Sequence, residues 1–136
     1  MLLVDTGVLV AAADTDDANH SACKALLERD HGPLVTTPMV IAETTYLLDR
    51  QLGPRAEVAL FASVTAGMLR VGNLQADDWA RIGELVATYA DLRLGGTDAS
   101  LIAVAGRLAV THIATLNRRH FTVVRPKHTP AFELVP

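Results

Sequence analysis

The 136-residue sequence predicts an α/β fold in which helices cover a mostly parallel central sheet. Short aliphatic segments alternate along the chain with longer segments whose apolar residues recur at helical spacing, the pattern of an α/β sandwich. No repeat, low-complexity segment or Pro/Gly-rich linker divides the chain, so a single domain over residues 1–136 is expected. Hydrophobic residues make up 50% of the sequence and aromatic residues only 4%, which indicates an aliphatic core.

The predicted elements follow from local patterns. The segment LLVD is the first strand, and a helix follows it, breaks near residues 14–17 and resumes over residues 18–29. PLVTT is the second strand, after which Thr37 is the expected N-cap and Pro38 the first residue of a helix that reaches about Gly53. The order continues with a helix over residues 54–67, the strand MLRVG, a helix over residues 76–89, the loop ADLRLGG, a helix from Thr97 or Asp98, the strand HIATL and a final strand FTVV.

Charge and hydropathy restrict the classes of function. The net charge of −3 argues against a generally basic nucleic-acid binder. The charges are uneven, however, because residues 99–136 hold five Lys/Arg against one Asp/Glu, a balance of +4 beside which a polyanion could bind. No apolar run approaches the roughly 20 residues of a membrane span, and Asp5 interrupts the apolar amino terminus. A cytoplasmic protein without a membrane partner is therefore expected.

Four polar side chains are expected at one edge of the sheet, where parallel strands end and the following helices begin. Asp5 ends the first strand, Asp98 opens a helix and Asn117 ends the strand HIATL. Glu43 lies in the second turn of the helix that follows the second strand. Three carboxylates at one edge, without a Lys or Arg nearby in sequence, would repel one another. A divalent cation resolves that repulsion, and Mg²⁺ or Mn²⁺ matches oxygen ligands.

Each acid also has a structural explanation when it is taken alone. Asp5 could simply form a turn after the strand, and Asp98 could be a helix N-cap. Glu43 has Val40 and Leu47 as neighbours on its helix face, so the sequence places it on an apolar face. A carboxylate there is costly unless it is paired, metal-bound or extended to the edge of the face.

The chain resembles PIN-domain ribonucleases of the VapC toxin type. The resemblance rests on LLVDTGVLVA, TTPMVIAETTYLL, YADLRLGGTDASLIAVAGRL and IATLNRRHFTVVRP, which occur in the family's order and spacing over nearly the whole chain. It implies a PIN-like α/β/α sandwich with a catalytic set of Asp5, Glu43, Asp98 and Asn117. Asp5, Glu43 and Asp98 match the family's acidic metal-binding positions, and the resemblance implies Asp5 and Asp98 as metal ligands. It also implies a homodimer and a small antitoxin partner.

The sequence departs from the family pattern at two positions. Asn117 stands where the family usually has a fourth acid, which weakens any second metal site. Gly7 stands where Ser or Asn is more common, so the Thr6 hydroxyl is the local group able to orient a ligand. Asp91 is a further acid near the edge, either a loop cap or part of the site.

The resulting hypothesis is a Mg²⁺-dependent endoribonuclease, with Mn²⁺ as a possible substitute. Arg118 and Arg119 would bind RNA phosphates beside the metal, or else form a solvated helix start. A phosphatase of the haloacid-dehalogenase type is disfavoured because Gly7 occupies the position of its second acid. The alternative from another class is a PIN scaffold weakened at Asn117 that only binds RNA or a protein.

Overall fold

The computed structural model of the protein describes residues 1–29 and 32–136. Its strands are β1 (Leu2–Val4), β2 (Leu34–Thr36), β3 (Arg70–Val71), β4 (His112–Ala114) and β5 (Glu133–Val135). Its helices are α1 (Thr6–Ala13), α2 (His20–Glu28), α3 (Pro38–Leu52), α4 (Pro54–Thr65), α5 (Ala76–Thr88), α6 (Gly96–Leu108) and α7 (Arg118–Val123). A short 3-10 turn lies at Ala90–Leu92.

The five strands form one sheet in the order β3-β2-β1-β4-β5. Every neighbouring pair is parallel, so the predicted parallel sheet is confirmed. The central strand β1 is buried along its whole length, and its Leu3 lies beside Val35 of β2 and Ile113 of β4. The carboxyl ends of β1 and β4 are therefore adjacent, which brings together the residues that follow them.

Alternation along β1 distributes its side chains between two helical layers. Leu2 and Val4 pack in one cluster with Cys23 and Leu26 of α2, whereas Leu3 belongs to the opposite cluster, built mainly on α5 and α6. Strand side chains with a period of two must point to opposite faces. The result is the expected α/β/α sandwich. None of the helices in the described part of the chain is long and apolar enough to span a membrane.

Helix starts agree well with the capping signals. The Thr37 hydroxyl accepts a hydrogen bond from the backbone N–H of Val40 at 3.2 Å, and Pro38 is the first residue of α3, as predicted. Helix α6 begins at Gly96 with Gly95 as its N-cap. The alternative explanation of Asp98 as an N-cap is thus wrong, because Asp98 lies inside the first turn.

The last third of the chain corrects two predictions. FTVV is not a strand, since it lies in and just after α7. Phe121 and Val124 are buried while Thr122 and Val123 between them are exposed, a helical spacing that the short aliphatic segment concealed. The strand next to β4 is β5, which was not predicted because three residues near prolines carry little pattern.

Candidate active site

Asp5 lies at the centre of the carboxyl edge, where β1 ends and α1 begins. Its side chain is only 4% exposed. One carboxylate oxygen accepts a hydrogen bond from the Thr6 backbone N–H at 2.7 Å, and the other accepts from the Thr115 hydroxyl at 2.8 Å. No Lys or Arg of residues 1–29 and 32–136 forms an ion pair with it. Asp5 is therefore a buried carboxylate held by neutral donors alone.

The surroundings of Asp5 disfavour its charge. Burial, and next the nearby Asp98 carboxylate, raise the pKa of Asp5 to about 6 from 3.8. Hydrogen bonds from Thr115 and Thr6 oppose this increase, and Glu43 adds to it. Three carboxylates from β1, α3 and α6 thus lie close enough for their charges to interact. Binding of a cation would lower the free energy of a site of this kind, because it would offset the repulsion between the carboxylates.

Glu43 joins this set through a hydroxyl. The Thr6 hydroxyl donates a hydrogen bond to a carboxylate oxygen of Glu43 at 2.7 Å, across 37 positions of sequence. Glu43 is exposed, so the prediction that it sits on the apolar face of its helix is wrong. The sequence suggested otherwise because Leu47 lies one turn after Glu43. In the structure Leu47 is only half buried, and the apolar face of α3 ends beside Glu43. The Thr6 hydroxyl, the candidate orienting group in the absence of a side chain at Gly7, thus contacts Glu43.

Asp98 is held from the side of β4 by two nitrogen donors. His120 Nδ1 lies 2.6 Å and Asn117 Nδ2 lies 3.1 Å from the same oxygen, Oδ2. The two nitrogens are themselves 2.9 Å apart. The Asn117 amide can donate to Asp98 or to His120, and His120 Nδ1 donates to Asp98 in the tautomer that carries a hydrogen on Nδ1. Asn117 therefore acts here as a donor.

The geometry suits a hard cation only in part. Within the described residues, no three His, Cys, Asp or Glu side chains already lie close enough to hold a metal ion together. Asp5 and Asp98 supply carboxylate oxygens without a paired Lys or Arg, which is the donor chemistry of Mg²⁺ and Mn²⁺. Glu43 is placed beside this pair by Thr6. The donor chemistry of these residues thus suits a divalent cation, and Asp5 and Asp98 are the carboxylates that could hold it.

The two arginines after Asn117 differ in their surroundings. Arg118 donates hydrogen bonds to the backbone oxygens of Pro136 at 2.9 Å and Leu134 at 3.4 Å, so it secures β5 beside β4. Arg119 is exposed, and no hydrogen bond or ion pair joins it to the described part of the chain. Arg119 is the arginine whose charge is available to a ligand.

Asp91 lies apart from this network. It is exposed in the 3-10 turn Ala90–Leu92, and none of the hydrogen bonds around Asp5, Glu43 or Asp98 involves it. The structure therefore brings four of the five candidate polar residues together and leaves Asp91 outside them.

The basic carboxyl-terminal segment does not form one surface. Arg107 pairs with Asp78 at 2.9 Å, and Lys127 lies 3.3 Å from Glu84. Arg107 and Lys127 line a separate cavity at the far end of α6. The local charge of +4 therefore overstated the positive charge available beside the carboxyl edge.

Thr115 is a site residue that the sequence patterns did not single out. Its buried hydroxyl donates to Asp5 and accepts from the Asn117 backbone N–H at 2.9 Å, so it joins the ends of β1 and β4. A polar residue at the buried end of a predicted strand was the available signal. It carried no weight alone because threonine is common in strands.

An α/β/α sandwich with carboxylates gathered at the carboxyl edge of a parallel sheet is the architecture of a ligand-binding or metal-binding enzyme domain. The chain belongs to the PIN-domain family, whose model matches residues 2–125. It is 31% identical over 135 residues to the ribonuclease VapC26 of Mycobacterium tuberculosis, covering 99% of this chain and 100% of that protein.

Two further relatives support the fold. The 23S rRNA-specific endonuclease VapC20 of M. tuberculosis is 28% identical over 131 residues, covering 93% of this chain and 100% of VapC20. The crystal structure of VapC20, described as a sarcin–ricin loop cleaving toxin, aligns with a TM-score of 0.78 at 27% identity, over 83% of this chain and 87% of that one. A chain of the VapBC2 complex of Rickettsia felis bound to promoter DNA aligns with a TM-score of 0.70 at 17% identity, over 99% and 98%. That likeness shows the shared fold.

Proposed function

We propose that this protein is a Mg²⁺-dependent endoribonuclease toxin that hydrolyses RNA phosphodiester bonds at the carboxyl edge of its sheet. The observation that carries the proposal is the convergence of Asp5 and Asp98 with no Lys or Arg of the described chain paired to either. The ribonuclease names of two relatives at 31% and 28% identity support the choice of RNA as substrate. Residues 1–136 act as one domain in this proposal.

Asp5 and Asp98 would hold the cation, and Mn²⁺ could replace Mg²⁺. When bound, the ion supplies positive charge to the phosphoryl oxygens and makes water more acidic. The Thr115 hydroxyl and Thr6 N–H hold the Asp5 carboxylate in one orientation, which limits the reorganisation needed on binding. His120 and Asn117 do the same for Asp98.

Glu43 is the group we assign to proton transfer. It is exposed at the edge and, among residues 1–29 and 32–136, accepts from the Thr6 hydroxyl alone at 2.7 Å, so its second oxygen can accept a proton from water. Arg119 would bind a phosphate next to the scissile bond, and Arg118 would contribute mainly by holding β5. The catalytic set is thus Asp5, Glu43, Asp98 and Asn117, with Asn117 acting through Asp98.

A second candidate function is favoured by one observation. The amide of Asn117 donates to Asp98 where the family usually has a fourth acid, so the edge has three formal negative charges rather than four. A scaffold weakened in this way could bind RNA or a protein without cleaving it. Binding of RNA at saturating Mg²⁺ with no cleavage by the wild-type protein would favour this second candidate.

The main experiment follows cleavage of a long single-stranded RNA by metal-stripped protein. We expect no cleavage in EDTA, recovery with Mg²⁺ or Mn²⁺, and no recovery for Asp98→Asn. A matched control is Asp77→Asn, an exposed aspartate in the first turn of α5. Full activity of the stripped wild type in EDTA would overturn the proposed mechanism, and activity of Asp98→Asn equal to wild type would remove Asp98 from it.

Partners form the last part of the proposal. A cleft of about 420 Å³ between α1, α2 and α4 is lined mainly by apolar side chains, among them Leu9, Leu27, Leu60 and Met68. We place a cognate antitoxin there, with a homodimer of this chain acting in the cytoplasm. Co-purification with the product of a short reading frame beside the gene, and loss of that complex in Ala59→Arg, would test the assignment. Light scattering of the isolated chain tests the dimer.

A further inference from the structure

Two buried hydroxyl groups join α3 to α6 beneath the carboxyl edge. Thr37 Oγ1 and Ser100 Oγ lie 2.7 Å apart, and both residues are 0% exposed. The residues are 63 positions apart in sequence. We call this contact the α3–α6 hydroxyl pair.

The direction of the hydrogen bond follows from the other contacts of each group. Ser100 Oγ donates to the backbone oxygen of Thr97 at 2.6 Å, which uses its only hydrogen. Thr37 Oγ1 accepts from the Val40 backbone N–H at 3.2 Å. The remaining hydrogen of Thr37 must then point at Ser100. The hydrogen bonds thus run from Thr37 to Ser100 and from Ser100 to Thr97, and they join the starts of the two helices.

The two helices that are joined in this way carry two of the three edge carboxylates. Glu43 lies on α3 and Asp98 on α6, each within two turns of the pair. Both carboxylates act on Asp5, since Asp98 and Glu43 each raise its pKa. The helices are also in close approach, since a Cβ added at Gly96 would lie 2.9 Å from Met39 Cε.

The bond that Thr37 Oγ1 accepts from the Val40 N–H explains the hydroxyl of Thr37 as an N-cap, but it does not explain the contact with Ser100. The bond between the two hydroxyls itself adds only about 1 kcal/mol of net free energy, which an apolar contact could also supply. What an apolar pair lacks is direction. The hydroxyl pair therefore differs from an apolar contact mainly in the geometry that it imposes.

We propose that Thr37 and Ser100 are positioning residues that set the placement of Asp98, a ligand carried by α6, relative to α3 before a divalent cation binds. This inference rests on the proposed function, because it concerns the same metal site. The two hydroxyls touch neither the metal nor RNA. They act by holding the start of α6 against the start of α3.

The test is a double-mutant cycle of Thr37→Val, Ser100→Ala and the double variant, with the Mn²⁺ dissociation constant measured by calorimetry and unfolding followed separately. Thr44→Val is the matched control. Thr44 is a fully buried threonine on α3 whose hydroxyl has no hydrogen-bond partner within residues 1–29 and 32–136. Its change removes a buried hydroxyl from the same helix without breaking the pair.

We expect each single variant and the double variant to weaken Mn²⁺ binding by about three- to tenfold, without addition of the two effects. Thr44→Val should bind Mn²⁺ within about twofold of wild type, since it changes no contact to the ligand-bearing side chains. The cleavage rate of Ser100→Ala should be closer to the wild-type rate at saturating Mn²⁺ than at low Mn²⁺.

Three outcomes separate this inference from the proposed function. Wild-type protein that binds no Mn²⁺ would overturn both. Tight wild-type binding with unchanged binding in Ser100→Ala would overturn the positioning role alone. Additive losses in the double variant would show that the two hydroxyls act independently. Thr37→Val also removes the N-cap of α3, so Ser100→Ala decides the matter if Thr37→Val fails to fold.

Discussion

Two buried aspartates at opposite ends of α6 show how differently this fold treats a carboxylate. Asp5 lies near the start of α6 beside Asp98, and Asp78 lies near its end, where Arg107 is. Asp98 and Arg107, the residues of α6 next to the two aspartates, are about 14 Å apart along the helix axis, from nine residues at roughly 1.5 Å each. Asp5 is 4% exposed and Asp78 is 3% exposed, so burial does not distinguish them.

Their partners do distinguish them. Arg107 Nε lies 2.9 and 3.1 Å from the two oxygens of Asp78, which also accepts from the Gln75 backbone N–H at 2.9 Å. Asp5 receives only a hydroxyl and a backbone N–H and has two other carboxylates nearby. A buried acid with its own cation serves the fold. A buried acid without one marks the edge where a ligand is expected to supply the charge.

The largest expected effect is on turnover at the carboxyl edge. Asp5→Asn and Asp98→Asn should each lower RNA cleavage on the order of a thousandfold, because loss of a metal ligand removes several kcal/mol of transition-state stabilisation. Both variants should remain folded. Asp78→Asn, the same change at the other buried aspartate, should cleave at nearly the wild-type rate per folded molecule. Cleavage by all three under identical Mg²⁺ concentrations is the measurement, and equal losses would erase the distinction.

Asp78→Asn should instead show its effect in stability. The substitution removes the carboxylate that neutralises Arg107, and the Arg107 side chain is mostly buried. The free energy of unfolding should therefore fall by about 3 kcal/mol. Urea denaturation in EDTA measures this. Metal-free Asp5→Asn should be as stable as wild type or slightly more so, because the change relieves repulsion. A comparable destabilisation of Asp5→Asn would identify Asp5 as a structural residue.

The raised pKa of Asp5 predicts an unusual pH dependence of the metal-free protein. The pKa is about 6 in the folded state against 3.8 for a free side chain, so the folded state holds the proton more tightly. Protonation of Asp5 therefore stabilises the folded state relative to the unfolded state. This stabilisation is fully present below about pH 3.8 and is lost as the pH rises through about 6. Its loss between pH 4.5 and 6.5 should be on the order of 2 kcal/mol. Asp5→Asn should lack this component when both proteins are unfolded in urea with EDTA.

Asn117→Asp should change metal binding in the opposite sense to loss of a ligand. The added charge favours a cation, while the hydrogen bond from the amide to Asp98 is lost. We expect Mg²⁺ to bind roughly tenfold more tightly, since a tenfold change needs only about 1.4 kcal/mol and a neighbouring charge can supply it. Calorimetric titration decides the point. Unchanged affinity would mean that residue 117 lies beyond the reach of the ion.

The smallest effect concerns the two adjacent arginines. Arg119→Ala should lower the slope of log affinity for RNA against log salt by about 0.7, because one phosphate contact is lost. Arg118→Ala should change the slope less and should instead increase hydrogen exchange in β5, whose carbonyls it binds. Filter binding over a salt series and exchange by mass spectrometry would separate the two. Identical slopes for both variants would contradict the assignment of Arg119.

Sequence alone determined the parts of the molecule that depend on neighbouring residues. The alternation of strands and helices and the start of α3 at Pro38 follow from periodicity and capping, which act over a few positions. The same local logic placed Asp5 at the end of β1 and Asp98 in the first turn of α6. Parallel pairing then made a common edge for them predictable.

Tertiary structure decided the parts that depend on distant partners. Thr115 reaches Asp5 across 110 positions, and Thr6 reaches Glu43 across 37. Arg118 and Arg119 look alike in sequence. They differ in the folded chain because Arg118 donates a hydrogen bond to the backbone oxygen of Pro136, just after β5. Asp78 and Asp5 likewise look alike in sequence, and only the folded chain gives one of them a cation. The sequence specifies which side chains can be charged, but the free energy of each charge depends on the groups that folding places beside it.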